Sequence, residues 1–147
     1  MTKKLLIVCC VVAGLACGVV QADEPMTGTA HDAEVASQVV AYYFFTDFRC
    51  ATCKKLEAYS EEAINQGFPD QLAAGELAFK AVNTDKKPNR HFVEDFELIT
   101  KSLVLVEYHD GKVVRFKNLK LIWQLVGDKE GFLTYVRDQT RDFLEAA

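Results

Sequence analysis

The sequence predicts an α/β domain with a central mixed β-sheet flanked by helices. Three observations predict it: short apolar runs alternate with segments of helical period, a helix-length segment separates the first two runs, and an Asp-Gly pair joins two later ones. A strand, helix, strand unit implies parallel strands, because the crossover returns the chain to the same end of the sheet. An Asp-Gly hairpin implies antiparallel strands. The two together make the sheet mixed.

The first 34 residues read differently from the rest. Lys3 and Lys4 precede an uncharged run, Leu5 to Val20, and Val20-Gln21-Ala22 places small or apolar residues before Asp23. This is the pattern of a secretory signal peptide at residues 1–22, cleaved after Ala22. The run has sixteen residues, short of the roughly 20 a spanning helix needs, so no membrane span is expected after cleavage. A lipid-modified Cys17 is the alternative start, but Gly14 stands where lipoprotein signals usually carry Leu. Residues 23–34 are polar and acidic, with Pro25 and Gly28, and read as a flexible leader. Residues 35–147 are the folded domain, a length that suits one core.

Within that domain, Val39 to Phe45 ("VVAYYFF") is apolar without strict alternation, as a strand buried on both faces should be. From Ala51 to Phe68 the period changes, with Cys53, Leu56, Tyr59, Ile64 and Phe68 forming one stripe of a helix that stops around Gly67 and Pro69. Leu77 to Val82 is a second strand, and Thr84 to Asn89, with Pro88, a loop. Phe92, Val93, Phe96 and Ile99 mark a further helix. Leu103 to Glu107 and Lys112 to Phe116 flank His109-Asp110-Gly111 as a hairpin. Leu119 to Val126 reads as a short helix, with Trp123 packing it onto the sheet, and a last helix carries Phe132, Leu133, Val136, Phe143 and Leu144.

Export simplifies the cysteine arithmetic. Of five cysteines, Cys9, Cys10 and Cys17 leave with the signal, and Cys50 and Cys53 remain, three positions apart in "DFRCATCKK". A lone pair in an oxidising compartment is expected to cycle or to stay oxidised. Its place at the end of a strand and the start of a helix matters, because free backbone N–H groups and the helix dipole there favour a thiolate. Cys50, at the tip, is the candidate nucleophile and Cys53, on the apolar stripe, the resolving thiol. Arg49 adds positive charge beside Cys50, with Asp47 opposing it, and Thr52 lies between the pair.

Two other uses of the pair stand beside redox exchange. Two thiolates can hold a soft ion such as copper, or a metalloid such as arsenic. A structural zinc site would need four ligands, and His31, His91 and His109 are unclustered. A passive staple is a weak reading, since so short a loop removes little chain entropy. Losing Lys3 and Lys4 takes the net charge from −4 to −6, the wrong sign for a nucleic-acid surface. No Gly-rich strand-to-helix turn appears, so no flavin or nicotinamide cofactor is expected in this chain.

From Val39 to Leu144 the chain resembles a thioredoxin-like domain. "KAVNTDKKPNRHFVEDFEL" is similar to the second strand and following helix of thioredoxins, and "LVLVEYHDGKVVRF" to the hairpin after them. The resemblance implies disulfide exchange at Cys50 and Cys53 through a mixed disulfide with a redox partner protein. It departs from thioredoxins at three places: Arg49, Ala51 and Thr52 replace Trp, Gly and Pro; Phe44 replaces a buried acid; and Thr100-Lys101-Ser102 contains no proline where thioredoxins have a cis-proline. Through "FRCATCKK" and "NLKLIW" the chain is more similar still to small exported proteins of the ArsF family, described as a nitrophenyl compound nitroreductase subunit. That resemblance implies an electron-transfer subunit whose reductase partner supplies the cofactor.

Overall fold

The computed structural model describes residues 37–146. The predicted signal peptide (1–22) and leader (23–34) lie outside the described residues. Four strands form one sheet in the order β2-β1-β3-β4. The first, β1 (Gln38–Phe45), runs parallel to β2 (Leu77–Asn83) and antiparallel to β3 (Ser102–His109), and β4 (Lys112–Asn118) closes the hairpin. The sheet is therefore mixed, as the crossover and the Asp-Gly turn together predict.

Both central strands are buried on two faces, which is why their apolar residues do not alternate with polar ones. Val39, Ala41 and Tyr43 of β1 pack with Leu103 and Leu105 under the helices, while Val40, Tyr42 and Phe44 pack with Val104 and Val106 on the opposite face. The first face is covered by α1 (Ala51–Gly67) and α5 (Lys129–Glu145). Leu56, Ala63 and Ile64 of α1 meet Phe132, Leu133, Val136 and Phe143 of α5 there. Ser60 is buried in α1 because its hydroxyl donates to the Leu56 carbonyl at 2.6 Å, which leaves no orphaned polar group.

Phe68 falls just outside α1, its N–H still bonded to the Ile64 carbonyl at 3.1 Å. Pro69 does more than end that helix. It is the first residue of a second, α2 (Pro69–Ala74), where a residue without an N–H costs nothing. Gly75, at φ 77°, then ends α2 in a left-handed conformation that a side chain would strain.

The third helix corrects the sequence expectation most. A helix through Ile99 is predicted, but α3 covers only His91–Asp95. Phe92 and Phe96 do face the sheet, stacked at 5.7 Å on each other and close to Phe44. The chain then turns at Glu97, φ 51°, and Ile99 is 97 % exposed. A run of apolar residues at helical spacing thus joins two core contacts to a surface loop. In the hairpin, Asp110 and Gly111 both have positive φ, 53° and 71°, the conformation a two-residue turn needs to match strand twist. A short helix, α4 (Ile122–Leu125), follows β4, and Asp128 caps α5 by accepting the Gly131 N–H at 3.1 Å.

One charged network ties the hairpin to the end of the last helix. Buried Glu107 of β3 accepts from Arg115 of β4 and, at 3.0 Å, from the Ser37 hydroxyl. Arg115 also donates to the Phe143 carbonyl at 2.6 Å, where a cation suits the C-terminal end of α5. Arg115 above all, then Ser37, holds the Glu107 carboxyl below its ordinary pKa of 4.5. A lowered folded pKa adds stability that is fully present above the unfolded value and is lost as pH falls through the folded one. Glu107→Gln is expected to cost about 1–3 kcal/mol at neutral pH, and to shrink the difference from wild type as pH drops below about 4.5. Thermal unfolding of both proteins from pH 3 to 7 checks this; parallel curves would count against it.

Candidate functional site

β1 delivers the cysteine pair. Its ladder with β2 ends at Phe45, whose carbonyl accepts the Thr84 N–H at 2.8 Å, and the chain then leaves the sheet as the loop Thr46–Arg49. Asp47 anchors that loop to the end of β2. Its N–H donates to Asp85 at 2.8 Å, and its carboxylate accepts from Asn83 at 2.7 Å and Lys86 at 2.9 Å. The Lys86 hydrogen bond, followed by that of Asn83, lowers the Asp47 pKa. The charge expected to oppose a thiolate is thus already engaged by Lys86.

Cys50 is the N-cap of α1, and its Sγ accepts the Cys53 N–H at 3.0 Å. Its carbonyl accepts the Lys54 N–H at 3.1 Å, closing the first helical turn. The two sulfurs are joined as a disulfide, with the Cα atoms 5.1 Å apart. Cys50 is half-buried and Cys53 is 2 % exposed, because Cys53 lies on the stripe that also buries Leu56. The Cys50 sulfur therefore caps the N-terminus of α1 from a half-buried position, and Cys53 is the buried member of the pair.

The supporting residues fall unevenly around the pair. The Arg49 guanidinium donates to Glu57, one turn beyond Cys53, and lies 4.0 Å over the Phe45 ring. Its Nε is buried with no hydrogen-bond partner. Thr52 is exposed on the first turn of α1. Phe44, at the position thioredoxins fill with an acid, is buried on the opposite face of the sheet with Phe92 and Phe96. The polar group beneath the first turn is instead the hydroxyl of Tyr43, which donates to the Cys53 carbonyl at 2.8 Å. Burial, reinforced by the nearby Glu57, raises the Tyr43 pKa far above its ordinary value and keeps the phenol a donor.

Sequence reasoning reads Tyr43 as a core and sheet-face residue alone, which its burial bears out without revealing its bond to Cys53, and does not single out Glu57. Tyr43 carried a faint signal, since strand alternation places it on the helix side two residues before the strand ends. Glu57 carried less: its pairing with Arg49 depends on how the loop turns back over α1.

The loop before β3 completes the surroundings. Ser102 pairs with Phe44, so Thr100-Lys101 lies beside the end of β1 that leads to Cys50. Lys101 extends its ammonium to 5.4 Å from the ring of Phe48, and its carbonyl accepts the Trp123 indole N–H at 2.9 Å. Trp123, predicted to pack α4 on the sheet, packs against the core and also holds this loop. The peptide bonds of the described residues are all trans.

Among the described residues no three His, Cys, Asp or Glu side chains gather as a metal-binding group, so the soft-ion candidates are the two sulfurs alone. His91 pairs with Asp95 at 2.7 Å, and His109 lies 3.8 Å from Asp110; His31 lies outside the described residues. No helix among them is long and apolar enough to cross a membrane.

A strand order β2-β1-β3-β4, one parallel pair, one hairpin and a disulfide at the tip of the first helix make this an α/β protein compatible with a thioredoxin-like fold, carrying a CxxC disulfide. No protein-family model matches the chain, and no curated protein matches it either.

Proposed function

We propose that this chain is an exported thiol-disulfide exchange protein in which Cys50 attacks and Cys53 resolves. The observation that carries this reading is the N-cap position of Cys50, whose sulfur receives the Cys53 N–H at the start of a 17-residue helix. A thiolate there accepts the same N–H and lies at the positive end of the helix dipole, so its pKa falls.

In the reduced protein the Cys50 thiolate attacks one sulfur of a partner disulfide. A mixed disulfide forms, and the other partner sulfur leaves as a thiolate and takes a proton. Cys53 then loses its proton and attacks the Cys50 sulfur, forming the intramolecular disulfide and releasing the second partner thiolate. Two electrons pass to the partner, and a dithiol protein running the same steps in reverse restores the pair. Tyr43 holds the Cys53 carbonyl and fixes the first turn while these bonds change. Arg49, adjacent to Cys50 in sequence, is paired with Glu57 over the Phe45 ring and so holds the loop that leads into the pair, and Thr52 contributes to the exposed surface of the first turn.

Export rests on the N-terminal pattern of residues 1–22, and N-terminal sequencing of the secreted or periplasmic protein is expected to begin at Asp23. The resemblance of "FRCATCKK" and "NLKLIW" to the ArsF family suggests a narrower role, an electron-transfer subunit docking on a reductase that supplies the flavin or nicotinamide. The alternative use of the same thiols is to carry copper or arsenic.

The deciding experiment equilibrates the purified protein, in the mature form that sequencing reveals, with glutathione or dithiothreitol buffers. A reversible two-electron couple between about −120 and −270 mV is expected. Thiols inert toward small disulfides and reductants alike would overturn the reading. Tight binding of copper(I) or arsenite by a pair that does not exchange would establish the carrier instead.

A further inference from the structure

Beside the cysteine pair, exposed apolar side chains are set among lysines. Phe48, two residues before Cys50, is 72 % exposed, and Ile99 on the loop before β3 is 97 % exposed. Lys101 stands with both: its ammonium is 5.4 Å from the Phe48 ring, and it lines two clefts together with Ile99. One cleft, of about 310 Å³, runs toward Phe45 and Thr46 at the end of β1. The other, of about 230 Å³, runs toward Lys120 and Trp123. The Trp123 bond to the Lys101 carbonyl fixes the loop between them, so the surface is formed in advance of any partner.

Charge decides what this surface fits. Each cleft is lined by one acid, Asp85 on the first and Glu97 on the second, against Lys101 on both and Lys120 on the second, so the second cleft carries the excess of positive charge. The first turn of α1 contains no acid and is followed at once by Lys54 and Lys55, although acids are what the dipole favours at that end. Local helix stability does not account for lysines there. The described site thus gathers positive charge in a chain whose overall charge is −4.

We propose that this surface receives an extended acidic segment of the partner protein, with carboxylates beside the partner's reactive cysteine meeting Lys101 and Lys120 and an apolar side chain seated against Phe48 and Ile99. The proposal rests on the exchange reading above and names the chemistry of its partner. A protein segment is favoured over a small disulfide because the exposed Phe48 and Ile99 side chains and the lysines are spread over two clefts, more surface than a small molecule covers.

The test compares exchange rates with three probes: a neutral small disulfide, a short disulfide-bearing peptide with Asp, Glu and Leu around its cysteine, and the same peptide with Lys and Arg for the acids. Each peptide rate is divided by the same protein's rate with the neutral disulfide. The acidic peptide is expected to react roughly tenfold faster than the basic one at low salt. That ratio should shrink toward one at 0.5 M salt, and in the double variant Lys101→Glu, Lys120→Glu. Equal rates, a preference for the basic peptide, or a ratio unmoved by salt and by the double variant would overturn the acidic partner while leaving exchange itself standing. Failure of the neutral disulfide to react would overturn the exchange reading instead.

Discussion

Cys50→Ser is expected to abolish exchange with small disulfides, while Cys53→Ser is expected to stop at a mixed disulfide on Cys50. The two variants separate chemistry from folding. Serine is among the best N-cap residues, and its hydroxyl can accept the Cys53 N–H as the sulfur does at 3.0 Å. Cys50→Ser should therefore keep α1 and lose only the attacking sulfur. In Cys53→Ser the remaining thiolate still attacks, one half of the small disulfide leaves as a thiolate, and no second sulfur releases the other half. Mass spectrometry would show the adduct, and circular dichroism the retained fold. An active Cys50→Ser protein, or an adduct that forms on Cys53 in preference, would reverse the roles. Burial argues against that reversal, since Cys53 is the sulfur sealed beneath the first turn.

Phe132→Ala is expected to destabilise the domain by about 3–5 kcal/mol. Phe132 is fully buried where α5 meets α1, with its ring edge-on to Tyr59 at 5.6 Å. Truncation removes apolar contact and leaves a cavity between two helices whose other partners are the sheet residues beneath them. A domain of ordinary stability has only about 5–15 kcal/mol in total. The thermal midpoint should fall by more than about 10 °C. Val114→Ala, at a site 58 % exposed on the edge strand, is the comparison and should change stability by no more than about 0.5 kcal/mol. Chemical denaturation of the three proteins gives both values, and a loss below 1 kcal/mol for Phe132→Ala would remove this account of the core.

How far the sequence spoke differs from element to element. β1 was legible because two buried faces leave an unbroken apolar run, and the hairpin because Asp110-Gly111 supplies the two positive φ values its turn requires. α3 was misread in length. Phe92 and Phe96 obey the helical period because both reach the sheet, but Ile99 continues the spacing by coincidence on a loop that leaves it in solvent. Pro69 was read as a stop alone, since one proline both terminates a helix and suits the first position of the next.

The sequence by itself determined the alternation of strands and helices, the mixed sheet and the place of the cysteine pair at a strand-to-helix junction, because periodicity and turn chemistry act over neighbouring residues. Only the tertiary structure decided what surrounds that pair. Glu57 draws the Arg49 guanidinium over Phe45, Tyr43 holds the Cys53 carbonyl from the strand below, and Trp123 fixes the Lys101 loop beside Phe48. The last two contacts join residues from 10 to 22 positions apart. Such pairings follow from how the sheet and helices stack in space, and no local pattern along the chain encodes them.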